Sequence, residues 1–282
     1  MTHAFKAGLL AKSLLVGSLL AGAIGGAAQA QTTDWSGPYV GAVFGYAKTD
    51  ATKGEQFKFD KNLDGQFNDT VNTATGANAF SPGFCDGSAR TSLPSDGCVG
   101  DNDENWELGA RAGYDMQFGA FVVGAVAELE RVRIQDRVSA FSTTPAFYTL
   151  DRKLKAMGAV RLRAGYAMGP YLGYVTGGVA RGQIKHAFTT SNTANTFVRR
   201  DSDNANGTQF GLGVERQLDG RVRLGLEYLQ TRLDDDGYTV RVQGPAPATN
   251  PFILTNAAGT DLRRTEDEMK IHSVRLTASY RF

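Results

Sequence analysis

Eight stretches of this chain alternate apolar and polar residues with a period of two, as a strand does when its two faces meet different surroundings. The last stretch is the clearest. Counting back from Phe282 in steps of two gives Tyr280, Ala278, Leu276 and Val274 on one face, while Arg281, Ser279, Thr277, Arg275 and Ser273 take the other. A first strand is expected over about 37–48, where Val40, Ala42, Phe44 and Tyr46 alternate with Gly41, Val43 and Gly45. Others are expected over about 105–117, 120–133, 154–167, 171–186, 207–218 and 221–233. Their apolar faces carry, for example, Trp106, Leu108, Tyr114, Phe121, Val123, Leu129, Val160, Leu162, Phe210, Leu212, Leu224 and Leu226. In the fifth strand both registers are mildly apolar, so its facing stays open.

The connections sort into two kinds. Phe118-Gly119, Met168-Gly169-Pro170 and Asp219-Gly220 are tight-turn signals. The segment 49–104 is polar and shows no apolar periodicity, about 136–153 reads as a medium loop, and 188–206 and 234–268 as polar loops. In an up-and-down antiparallel sheet, alternate connections lie at opposite ends. All short turns then fall at one end and all long loops at the other, the asymmetry of transmembrane barrels with short periplasmic turns and long extracellular loops. Tyr114, Phe118, Phe121, Tyr166, Tyr171, Tyr280 and Phe282 gather at the short-turn end, as an interfacial girdle requires. Each strand supplies the about 9–11 residues a tilted crossing needs. Closure of the sheet leaves no unpaired backbone edge in lipid. The expected fold is therefore all-β, an eight-stranded antiparallel transmembrane β-barrel. The soluble alternative, a lipocalin-like barrel with its apolar face inward, gives no reason for one-sided loops or a one-sided aromatic cluster.

Composition adds location. Residues 1–30 read as a signal peptide: Lys6 and Lys12 precede the apolar run Leu14 to Ala28, and Ala28-Gln29-Ala30 fits a cleavage site. The barrel domain is then 31–282, with a long surface loop at about 49–104. No later stretch has the 18 or more consecutive apolar residues of a membrane-crossing helix. Lys+Arg 30 against Asp+Glu 29 gives no electrostatic footprint for nucleic acid. Cys85 and Cys98 lie in one polar segment of an exported chain, where an oxidising compartment favours a disulfide.

With these features the chain resembles the small eight-stranded outer-membrane barrels of the opacity/OmpA-type clan of Gram-negative bacteria. The shared motifs are Trp35-x-Gly37-x-Tyr39-x-Gly41, the pairs Gly113-Tyr114 and Gly165-Tyr166, and the Tyr280-Arg281-Phe282 exit. The resemblance implies a location in the cell outer membrane, among membrane lipid and lipopolysaccharide. It also implies a terminal strand ending at Phe282 that the barrel-assembly machinery reads, and a surface protein of envelope-stabilising or adhesive type. A small porin-like channel is the first alternative.

If the apolar faces meet lipid, the polar faces fill the lumen. The acidic residues directed inward are Glu107, Asp115, Glu128, Glu130, Glu215 and Glu227; the basic ones are Arg111, Arg161, Arg163, Arg221, Arg223, Arg275 and Arg281. An eight-stranded barrel is only wide enough for side chains to fill it, so these charges are expected to interdigitate as a plug. In the first loop, Asp60, Asn62, Asp64 and Gly65 match positions 1, 3, 5 and 6 of a calcium loop, but Val71 stands where a bidentate Glu belongs. No other cofactor is expected. The second alternative, a lipid-A-modifying enzyme, needs a His paired with a Ser and an acid. The mature chain offers His186 and His272, and adjacent His272 and Ser273 point to opposite faces of a strand. No catalytic residues are therefore expected, and any binding partner falls to the surface loops.

Overall fold

The computed structural model describes residues 33–50, 54–101, 104–201 and 203–282, so the expected signal peptide lies outside the described residues. The eight alternating segments form β1 (Gly37–Thr49), β2 (Glu104–Phe118), β3 (Phe121–Ser142), β4 (Ala146–Met168), β5 (Tyr171–Thr190), β6 (Asn204–Gln217), β7 (Val222–Asp234) and β8 (Glu268–Arg281). Each pairs antiparallel with its neighbour in sequence. The terminal strand closes the ring on the first, with Val40 opposite Tyr280 and Phe44 opposite Leu276. Closure matches each backbone edge to a partner, as a lipid environment demands. Gly119 and Gly169, both at positive φ, let β2–β3 and β4–β5 turn tightly.

Three strands run far past a bilayer. β3, β4 and β5 have 22, 23 and 20 residues, against the about 9–11 that a crossing requires. The expected loop at 136–153 is therefore not a loop. It is a hairpin in which Ser142 pairs with Ala146. The strand pattern does not stop at the membrane surface; it inverts. On β3 the outward residues are Phe121, Val123, Ala125, Ala127 and Leu129, then Arg131 and Arg133, while the inward ones pass from Glu128 and Glu130 to Val132 and Ile134. On β8 the outward face passes from Tyr280, Leu276 and Val274 to His272 and Lys270, and the inward face from Arg275 to Ile271 and Met269. Within lipid the barrel is apolar outside and polar inside; above it, the reverse holds, as in a water-soluble protein.

The long connections are also ordered. Thr196–Arg200, Thr239–Gln243, Thr260–Arg264 and Phe57–Asp60 form a four-stranded antiparallel sheet at the loop end. It packs with the β3–β4 hairpin around a core that includes Phe57, Phe59, Phe80, Val138, Tyr148, Leu150, Val240, Val242, Phe252 and Leu262, all buried. The segments read as polar loops thus supply an apolar core of their own. Cys85 and Cys98 are joined in a disulfide that ties the strand Gly83–Asp86, itself paired to β3, to the short strand Cys98–Val99.

Candidate functional site: the lumen and its cap

Inside the membrane-spanning part, the structure places Glu107, Arg111, Glu128, Glu130, Arg161, Arg163, Glu215, Arg223, Glu227 and Arg275 in the lumen, all buried, together with Asp115. They form two linked groups. Nearer the short turns, Asp115 accepts from Arg163 at 3.2 Å and Arg223 at 2.8 Å, and Glu215 accepts from Arg163 at 2.8 Å. Further up, Arg275 donates to Glu227 at 2.9 Å, to Glu130 at 2.8 Å and to Glu128. Arg161 adds a contact to Glu128 at 2.7 Å, and Arg111 lies 3.3 Å from Glu128 and 3.8 Å from Glu215, bridging the groups. Arg221 and Arg281, expected in the lumen, are instead at the short-turn rim. Arg221 donates to the Tyr280 hydroxyl, and Arg281 to the carbonyls of Asp34, Ser36 and Gly220. Both sit where the strands end, so the alternation no longer points into an enclosed space.

The opening motif has a role in this packing. Tyr39 lies among the guanidiniums of Arg111, Arg163 and Arg223, each within 5.5–5.8 Å of its ring centre. Arg223 lies over Trp35 at 4.8 Å and donates to its carbonyl at 2.7 Å. A side chain at Gly113 would overlap the Tyr39 ring, and one at Gly213 would overlap Tyr174. The Gly-Tyr spacing therefore leaves room for large rings in a narrow lumen.

The lumen is not filled by charges alone. Above the charge network, Ala47, Val132, Ile134, Leu154, Met157, Ile184, Leu233, Met269 and Ile271 form a buried aliphatic layer drawn from six barrel strands. Trp35, Val122 and Leu172 close the opposite end. Sequence reading missed the layer because it stopped β3 at residue 133 and treated the inward face as uniformly polar. The signal was present in the Glu130-x-Val132-x-Ile134 register.

Between this layer and the cap core lies a second ionic level that sequence reading also missed. Arg152 reaches Asp136 at 2.7 Å and Asp235 at 3.4 Å, while Arg264 joins Glu55 and Asp136. His186 sits between Asp201 at 2.7 Å and Asp235 at 2.9 Å, stacked on Tyr238. Both ring nitrogens are thus occupied by carboxylates. Burial alone lowers the His186 pKa, but the hydrogen bonds and charges of Asp235 and Asp201 outweigh it, and the net direction is upward. A raised folded-state pKa means that the stabilisation is complete below the ordinary value of 6.5 and is lost as pH rises through the higher one. Protease resistance of the cap is expected to fall from pH 6 towards pH 9, and His186→Gln to flatten that dependence. An unchanged profile in the variant would place the titration elsewhere. His272 differs: it faces outward, with Tyr228 at 2.6 Å and Asp50 at 3.2 Å. Ser273 faces inward and donates to Glu107 at 3.0 Å.

In the first loop, Asp60, Asn62 and Asp64 are brought together, and their oxygens are engaged within the turn. The Asp60 carboxylate accepts from the backbone N–H groups of Leu63 at 2.6 Å, Asp64 at 3.1 Å and Gly65 at 2.8 Å. The Asn62 amide donates to Asp64 at 2.9 Å. Val71, in the terminal ligand position, is buried in the cap core. Among the described residues no group of three or more His, Cys, Asp or Glu is placed to hold a metal ion. The Asp60 carboxylate caps the turn.

Comparison with known proteins bears on all of this. The family model "outer membrane protein beta-barrel domain" matches residues 17–282. The 31 kDa outer-membrane immunogenic protein of Brucella melitensis is 26% identical over 91% of this chain and 87% of its own length. A 22 kDa outer membrane protein of Rhizobium leguminosarum bv. viciae is 31% identical over 45% of this chain and 52% of its own. Among solved structures, Ail of Yersinia pestis, in complex with sucrose octasulfate, aligns over 87% of this chain and 99% of its own, at 9% identity and a TM-score of 0.34. The protease OmpT of Escherichia coli aligns over 89% and 98%, at 9% identity and a TM-score of 0.40.

Proposed function

From the premise that the chain belongs to the outer membrane protein beta-barrel domain family, and is thus an outer-membrane β-barrel protein, we propose a non-conducting surface protein of envelope-stabilising or adhesive type. The observation that carries this reading is the aliphatic layer across the lumen. An ion path would have to pass Ile134, Leu154, Ile184 and Leu233, each 0% exposed, whose side chains offer no polar atom to replace its hydration shell. The charge network beneath serves in this reading as a polar core. The ordered cap, with a core and a disulfide of its own, offers a fixed outer surface, the kind of scaffold-borne region where recognition usually resides. Catalysis has no part in the proposal, since carboxylates hold both nitrogens of His186.

The refolded protein is expected to give no discrete steps in planar-bilayer recording. Reproducible steps whose size changes on Arg223→Gln or Glu227→Gln would make the lumen a conduction path and overturn the reading. A silent barrel directs attention to the cap. Deletion of the gene is then expected to impair envelope integrity or surface attachment, and complementation without residues of the cap sheet to leave attachment unrestored.

A further inference from the structure

The level at which the strand pattern inverts is not uniform around the barrel. Over β3, β4 and β5 the residues just above the apolar band are Arg131, Arg133, Lys155 and Arg181, all exposed and facing outward. Arg131 stands opposite Ala156, and Ile134 opposite Leu154, so Val132 and Arg133 share one place with Lys155. This is a β-bulge, a device that re-aims side chains. It sends Val132 inward and sets Arg133 and Lys155 side by side on the outside. On β5, Arg181 lies opposite Gly158. No ion pair or side-chain hydrogen bond occupies these four cationic groups among the described residues.

The opposite arc is built differently. There Lys48 is registered against Glu104, Lys270 lies 3.8 Å from Glu268, and His272 pairs with Asp50. At that level it also carries an aromatic group, with Phe44 stacked on Trp106 at 5.2 Å and Tyr46 edge-on to Trp106 at 5.7 Å. On that arc Lys48, Arg232, Lys270 and His272 stand among the carboxylates Asp50, Glu104, Asp234 and Glu268, whereas Arg131, Arg133, Lys155 and Arg181 have no carboxylate partner among the described residues, so net positive charge is concentrated over β3–β5.

Directly below that charge the lipid-facing wall is concave. A groove of about 1120 Å³ is floored by small residues, Ala110, Ala112, Ala127 and Gly158, and walled by Leu129 and Val160. It continues into a recess of about 490 Å³ lined by Arg131, Arg181 and Gln183. The two share Leu129, Gly158 and Arg181, so the apolar groove opens straight onto the basic cluster.

We propose that this arc seats one lipid A molecule of the outer leaflet, with its phosphorylated sugar head on Arg131, Arg133, Lys155 and Arg181 and an acyl chain along the groove. Charge complementarity selects the occupant. Several phosphate oxygens at the level of a membrane surface match a cluster of unpaired guanidinium and ammonium groups, and an acyl chain descending from the same head matches the groove beneath. The proposal depends on the outer-membrane location and not on the closed lumen, so a conducting barrel leaves it intact.

The test compares wild type with the quadruple variant Arg131→Gln, Arg133→Gln, Lys155→Gln, Arg181→Gln. Both are refolded in phosphatidylcholine vesicles containing lipid A, dephosphorylated lipid A or phosphatidylglycerol, and retained lipid is read by native mass spectrometry. Wild type is expected to retain one phosphorylated lipid A, and the quadruple variant to lose that affinity by about tenfold or more. The control Lys48→Gln, Arg232→Gln on the other arc is expected to retain it. These are exposed side chains, and heat-modifiable gel mobility reports whether each variant folds. Should the quadruple variant misfold, the single variant Arg181→Gln is expected to show a several-fold loss. Equal retention of the dephosphorylated lipid or of phosphatidylglycerol by wild type would overturn the proposal, as would full retention by the folded variants.

Discussion

Replacing Arg275 with Met is expected to destabilise the barrel by about 3–5 kcal/mol, the range for removing one partner from a buried ionic group. Arg275 is fully buried and donates to Glu227, Glu130 and Glu128, with Glu107 at 3.9 Å. Without it, four carboxylates face one another in an enclosed space, with Arg111 and Arg161 the remaining cations within 4 Å of them among the described residues. Lysine is a poor substitute, because one ammonium does not reproduce the planar fork that serves several carboxylates at once. The measurement is the urea midpoint of protein refolded into lipid vesicles, read by gel mobility without heating. A second variant makes the result specific. Arg275→Met combined with Glu227→Gln removes a pair instead of stranding one member, so it should recover part of the loss. A single variant that unfolds with wild type, or a double variant no better than the single one, would show that the network contributes little.

The same residues show how much of this protein is legible in sequence. Alternation located every membrane-crossing segment because a strand between lipid and a filled lumen must obey it in each residue. The inward charges followed from the same register, and the disulfide from the export of the chain. Three things were harder to read. Arg221 and Arg281 obey the alternation, yet alternation says nothing about where a strand leaves the enclosure. The aliphatic layer lies past the point where β3 was expected to end, and a run such as Val132 to Ile134 looks like a fading signal when it is an inverted one. The cap was opaque for a different reason. Its core draws Phe57, Phe80, Tyr148, Val240 and Phe252 from separate connections, and the alternating runs there, such as Thr239–Gln243, are only four or five residues long and stand inside polar segments. Asp201 and Asp235, which hold His186, are likewise 15 and 49 residues away from it.

The inversion makes a second large prediction, because it assigns opposite costs to the same substitution a few residues apart. Leu162 faces outward within the apolar band and is 70% exposed there. Leu162→Arg places a charge near the middle of the lipid and is expected to cost about 2–4 kcal/mol. Gln183 also faces outward, but above the band, between Lys155 and Arg181 in the register of β4 and β5. Gln183→Arg is expected to stay within about 0.5 kcal/mol of wild type, as an exposed substitution does. Ile184, the next residue, faces inward in the aliphatic layer and is 0% exposed. Ile184→Arg buries an unpaired charge, and its cost should again reach several kcal/mol. All three are compared by urea unfolding in the same vesicles. A barrel whose outside stayed in lipid along the whole of β5 would penalise Gln183→Arg and tolerate Ile184→Arg. The opposite order is what an apolar exterior giving way to an apolar interior requires, and it would fix the membrane surface between Val179 and Arg181.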